Sequence, residues 1–133
     1  MKTMIQKHVT LIAPSTSIIT GVNLIFPGDI LELRFDYEKD GMIYRSGIQF
    51  TKVRAHHHVA EIYCPAWKIE CSYDTVVEIL DSPWADELKK LASENQRDAW
   101  VLHHYMIYFD SDGCFEVIAA AWDILPEEKG PWE

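Results

Sequence analysis

The sequence predicts an α+β domain: a curved, mostly antiparallel β-sheet of about six or seven strands with one main α-helix packed on it. Three observations lead to this fold class: an alternating apolar pattern in the first third, one segment with helix signals, and a dense apolar hairpin near the end. No repeat, low-complexity tract or linker divides the 133 residues, so we expect a single domain over 1–133. Partial closure into a barrel is the alternative architecture.

The clearest strand signal lies at residues 31–37. An apolar and a charged set of residues alternate there: Leu31, Leu33, Phe35 and Tyr37, and Glu32, Arg34 and Asp36. Because successive side chains of a strand point to opposite faces, we expect the apolar set in the core and the charged set in solvent. Asp40-Gly41 follows and favours a hairpin turn into a strand that begins at Met42.

Weaker strand signals come from β-branched residues at 5–13, 17–26 and 73–81. The last third, 99–125, predicts two long apolar strands joined by a tight turn at Asp110–Gly113. We expect the remaining residues, 126–133, to form a loose C-terminal tail.

The main helix is predicted after Asp81. Ser82 is suited to the N-cap and Pro83 to the first helical position. Trp84, Leu88 and Leu91 follow at i, i+4 and i+7, which predicts that this stripe packs on the sheet.

Composition excludes several partners. The formal net charge is −9, from 21 acidic and 12 basic residues, so the surface field repels nucleic acid and anionic membranes. No apolar run reaches the roughly 20 residues that span a bilayer. Three cysteines, Cys64, Cys71 and Cys114, cannot all pair, and a chain of this apolar content does not need disulfides. We therefore expect a cytoplasmic protein with reduced thiols.

Three consecutive histidines, His56, His57 and His58, are the most unusual feature. In a strand, His56 and His58 share a face and form half of a zinc site, while His57 faces the other way. The missing ligand would come from another strand, and the candidates are His103, His104, Glu61 and Cys64. No known metal motif is present, so the sequence favours the alternative of imidazoles on a half-exposed strand, with no metal and no cofactor.

A thiol enzyme is a second chemical alternative, in which Cys64 or Cys114 pairs with a histidine base. Free cysteines are more often buried as small apolar residues, and Cys114 beside Phe115 fits that pattern. The sequence designates no catalytic residue.

Two segments, YDTVVEILDSPWADEL at 73–88 and HHYMIYFDSDGCFEVIAAAW at 103–122, resemble a group of small uncharacterised bacterial proteins. Some members of that group lie beside toxin and immunity genes. The resemblance covers about the second half of the chain and implies no catalytic residues.

Two function classes follow. The preferred one is a small acidic, non-catalytic protein-binding domain, immunity-like in that it captures a partner with a basic surface. The alternative is a small metal-dependent or thiol enzyme that uses the His56/His58 face. The sequence does not define the oligomeric state.

Overall fold

The computed structural model describes residues 4–92 and 101–130, which contain nine strands and two α-helices. The strands are β1 (Ile5–Thr10), β2 (Asn23–Ile25), β3 (Leu31–Lys39), β4 (Met42–Thr51), β5 (Ala55–Val59), β6 (Thr75–Ile79), β7 (His103–Phe109), β8 (Gly113–Ala119) and β9 (Ala121–Lys129). The helices are α1 (Ala66–Ser72) and α2 (Pro83–Leu91), and short 3-10 turns occupy Ser15–Ser17 and Glu61–Tyr63.

The strands form two sheets, with strand orders β1-β6-β7-β8-β5 and β2-β3-β4-β9, and every strand pairing is antiparallel. The antiparallel α+β prediction is confirmed, but the predicted single sheet of six or seven strands is wrong. Within the described residues neither sheet closes on itself, so the barrel alternative is not adopted. The chain builds two layers because the inner faces of both sheets are apolar and cover each other.

The main core lies between the two sheets. The four-stranded sheet contributes side chains such as Leu33, Phe35 and Ile48, and the five-stranded sheet contributes Ile107 and Phe109. A second, smaller core lies on the other face of the five-stranded sheet, where α1 contacts β6 and β7, and α2 contacts β7. The five-stranded sheet is therefore packed on both faces.

The β3–β4 hairpin confirms the predicted strand period. All four apolar residues of the alternating set are buried: Leu31, Leu33, Phe35 and Tyr37. Asp40 and Gly41 both have positive φ, at 54° and 75°, as a tight hairpin turn requires. The prediction that Glu32 faces solvent is wrong, since only 8% of the residue is exposed. Glu32 points outward, but Arg34 and Gln49 bond to its carboxylate and cover it.

The last predicted strand divides at Ala120. Residues 113–119 form β8 in the five-stranded sheet, whereas 121–129 form β9 beside β4 in the other sheet. Residues 126–129, which the sequence assigns to the tail, continue β9, and the Gly130 amide donates to the Ile43 carbonyl. Residues 131–133 lie outside the described part.

Helix α2 begins as predicted. Ser82 is the N-cap, its hydroxyl accepts from the Ala85 amide, and Pro83 occupies the first turn. The predicted apolar stripe is only partly correct, because Trp84 and Leu88 are half-buried but Leu91 is 79% exposed. Ala85 and Ala92 are buried instead. The buried side of α2 therefore includes Ala85, and Leu91 at the last position of the helix faces solvent.

No helix in the described ranges is long and apolar enough to cross a membrane.

Candidate functional site

The three histidines lie on β5, which is an edge strand of the five-stranded sheet. His57 pairs with Glu116 of β8, while His56 and His58 pair with Val117 and Phe115 and share their face. The predicted alternation is therefore observed. His56 contacts the Phe26 ring at 5.0 Å, and His58 packs on Phe115 and bonds to the Asp112 carbonyl. The side chains of His56 and His58 are thus engaged separately.

The candidate third ligands lie in different surroundings. His103 bonds to Glu78, and His104 bonds to Glu116 from the opposite face of the same strand. Cys64 and Glu61 follow β5 in the turn before α1. Across residues 4–92 and 101–130, no group of three or more His, Cys, Asp or Glu side chains has the arrangement to hold a metal ion.

The most concentrated set of polar contacts, here called the Glu116 cluster, lies on the helix-covered face of the five-stranded sheet. It consists of Glu116, His57, His104, Lys68 and Ser82. One Glu116 oxygen lies 2.7 Å from both His57 Nε2 and Lys68 Nζ, and the other lies 2.7 Å from His104 Nε2. Glu116 is only 2% exposed, so three donors replace its lost hydration.

The cluster keeps Glu116 ionised. Burial alone would raise the pKa of Glu116, but the hydrogen bonds from His104, Lys68 and His57 lower it to about 2 from an ordinary 4.5. Because an ionised carboxylate only accepts, both imidazoles donate from Nε2. The Nδ1 atom of His104, on the other side of the ring, lies 2.7 Å from the Ser82 hydroxyl oxygen.

This relay joins a serine, a histidine and a carboxylate, but its geometry fits a packing role. Ser82 is buried at 4% exposure, and its oxygen also caps α2. Trp84 covers the relay, with its ring 4.8 Å from His57 and 5.2 Å from His104. The cluster thus fastens α1 and α2 to β5, β7 and β8.

A partly buried carboxylate, Glu78 on β6, bonds to two further histidines. His8 Nε2 lies 2.9 Å from one oxygen and His103 Nδ1 lies 2.7 Å from the other. Burial opposes the charge of Glu78, but these two partners lower its pKa. Each imidazole faces its own carboxylate oxygen, so this pair also fastens strands together.

The cysteines are poorly placed for nucleophilic chemistry. Burial raises the pKa of Cys64, of Cys71 and of Cys114, and Glu116 further raises that of Cys114. A reactive cysteine needs the opposite change, because the thiolate is the nucleophile.

The four-stranded sheet has a second surface, here called the open face, which points away from the core. It is formed by the residues that alternate with the core set on β3, β4 and β9: Glu32, Arg34, Asp36, Glu38, Ile43, Arg45, Gln49, Asp123, Leu125 and Glu128. Arg34, Glu38, Asp123 and Glu128 are exposed. Carboxylates outnumber guanidinium groups on this face.

Two ion pairs lie in the middle of the open face. Arg34 lies 2.8 Å from Glu32, and Arg45 lies 2.8 Å from Asp36. The two arginines line two shallow hollows of about 410 and 160 Å³, one towards β2 and one towards Leu125. Gly47 lies between Arg34 and Leu125, and the Leu33 carbonyl and the Leu125 side chain fill the space that a side chain would need there.

Sequence reasoning missed both the Glu116 cluster and the open face as sites. Glu116 stands in an apolar run, and that position is the one available signal, because a buried carboxylate needs partners. The open face requires two facts that the sequence does not contain, namely that β9 pairs with β4 and that both helices pack on the other sheet.

No known protein family, curated protein or solved structure matches the chain.

Proposed function

We propose that this protein is a non-catalytic binding domain that captures a basic protein surface on its open face. The observation that carries the proposal is the excess of carboxylates on this accessible sheet surface. Glu38, Asp123 and Glu128 add exposed negative charge to the paired groups of Glu32 and Asp36. The net charge of −9 acts in the same direction at long range.

Exposed apolar residues beside the acidic ones support a protein as the partner of this face. Ile25 and Ile43, which are 40% and 46% exposed, lie on the same side of the sheet as the acidic residues. Protein interfaces combine apolar contact with a charged rim, and complementary charge mainly sets the association rate and the choice of partner.

The enzyme alternative finds less support in the geometry. A metal enzyme on the His56/His58 face would need ligands from outside the described residues. A thiol enzyme would need a lowered cysteine pKa, whereas burial raises it for Cys64 and Cys114. A toxin with a basic surface, neutralised by this chain as an immunity protein, is one partner of the proposed class.

Site-specific photocrosslinking in the cells that make the protein tests the proposal. Benzoylphenylalanine replaces Asp123 on the open face or, as a matched control, Glu87 on α2. Both are exposed acidic residues, but α2 packs on the other sheet. We expect one discrete adduct from position 123 that is absent from position 87, and mass spectrometry should identify a basic protein in it.

Absence of an adduct from position 123 would contradict the proposal. So would the same adduct from both positions, or an adduct with an acidic protein.

A further inference from the structure

Four strands form the edges of the two sheets, and three of them carry features that discourage pairing with another chain. Strand β1 has a register shift between Lys7 and Val9. Strand β2 has only three residues. Strand β9 contains Pro126 and has a register shift in its pairing with β4.

Strand β5 is different. It pairs with β8 without a register shift from Ala55 to Val59, and it contains no proline, glycine, lysine or acidic residue. In the described part of the chain, no strand pairs with its outer side. Its backbone therefore presents a regular edge for one further strand.

An aromatic ring lies beside this edge on the face towards the other sheet. Phe26, which is 43% exposed, packs there on His56, whereas Trp84 packs on His57 from the helix-covered side and lies inward, between His57 and His104. On one face, side chains of an added strand would lie beside His56 and Phe26, and on the other face beside His57. Affinity would come from main-chain hydrogen bonds and selectivity from the flanking side chains.

The chain segment that leads into β5 carries a charge opposite to that of the whole molecule, whereas Glu61 and Asp112 lie at the other end of the strand. Residues 41–60 contain no Asp or Glu, although the chain has 21 of them, and Lys52 and Arg54 stand at the start of the strand. The carboxylate across the pairing, Glu116, is buried and bonded to three basic side chains. The end of the edge beside Lys52 and Arg54 thus favours an acidic segment over a basic one.

We propose that the β5 edge binds an extended acidic peptide segment of a partner protein, which adds to the five-stranded sheet as a sixth strand. This surface is separate from the open face and does not depend on its function. Complementary charge selects the peptide, and the regular edge, with Phe26 beside it, holds it.

Fluorescence polarisation with a labelled peptide of alternating Glu and Val tests the proposal, and the same peptide with Lys for Glu is the control probe. We expect the Glu peptide to bind at least about tenfold more tightly than the Lys peptide. Combined Lys52→Glu and Arg54→Glu should weaken binding at least about tenfold. Combined Lys7→Glu and Lys129→Glu, on edges β1 and β9, makes the same charge change and should alter binding less than about threefold.

Hydrogen exchange locates the peptide independently of charge. We expect the Glu peptide to slow amide exchange within 55–59 and to leave β1, β2 and β9 unchanged. Protection of another edge, equal binding of both peptides, or no binding would overturn the proposal. A dimer that protects 55–59 without peptide would also overturn it, because the occupant would then be a second copy of the chain.

Discussion

Glu116→Gln is expected to destabilise the protein by about 3–5 kcal/mol, as loss of one partner in a buried ionic cluster does. Glu116 accepts from His57, Lys68 and His104. Glutamine has nearly the same shape, but it offers one acceptor oxygen, and its amide group faces a donor. Urea unfolding followed by circular dichroism measures the change in the free energy of unfolding.

Glu38→Gln is the matched control for this measurement. Glu38 lies on the exposed side of β3, and the same substitution there should change stability by less than about 0.5 kcal/mol. A loss below about 1 kcal/mol for Glu116→Gln would show that the Glu116 cluster does not fasten the helices to the sheet.

Lowering the pH is expected to remove the contribution of Glu116 to the stability of the unmodified protein. The pKa of Glu116 is about 2 in the folded protein and near 4.5 when unfolded, so the folded state favours the ionised form. This contribution is fully present above about pH 4.5 and is lost as the pH falls towards 2. A depression of this size corresponds to about 3 kcal/mol.

Comparison of the unmodified protein with Glu116→Gln isolates this contribution from other carboxylates. We expect their difference in unfolding free energy to shrink steadily as the pH falls from about 4.5 to 2. A difference that stays constant down to pH 2.5 would contradict the depressed pKa of Glu116.

The sequence was sufficient where one local pattern determined the outcome. The β3 alternation identified the buried face because the period of a strand is two, and Asp40-Gly41 identified the hairpin turn. Ser82 and Pro83 identified the start of α2, because both act within one turn of helix.

The sequence was insufficient where packing between residues distant in the chain determined the structure. Nothing in the run Ala119-Ala120-Ala121 indicates that the chain leaves one sheet and enters the other. Helical periodicity alone also does not indicate that Ala85 and Ala92 are buried while Leu91 is exposed.

The candidate sites also divide into features set by a local pattern and features set by long-range packing. The placement of His56 and His58 on one face could be predicted, because it needs only the strand period. The convergence of Lys68, His104 and Glu116 could not, because these residues come from a helix and two strands brought together by the fold. The open face also depends on strand order, which the sequence does not encode locally.

The affinity of two charge-reversed variants for the basic partner identified by crosslinking tests the central claim most directly. One variant combines Glu38→Lys and Asp123→Lys on the open face, and the other combines Glu70→Lys and Glu87→Lys on the helices. All four residues are exposed, and both variants change the net charge equally. The proposed function predicts at least about tenfold weaker binding for the open-face variant and less than about threefold for the helix variant. Equal weakening of both, or stronger weakening of the helix variant, would contradict binding at the open face.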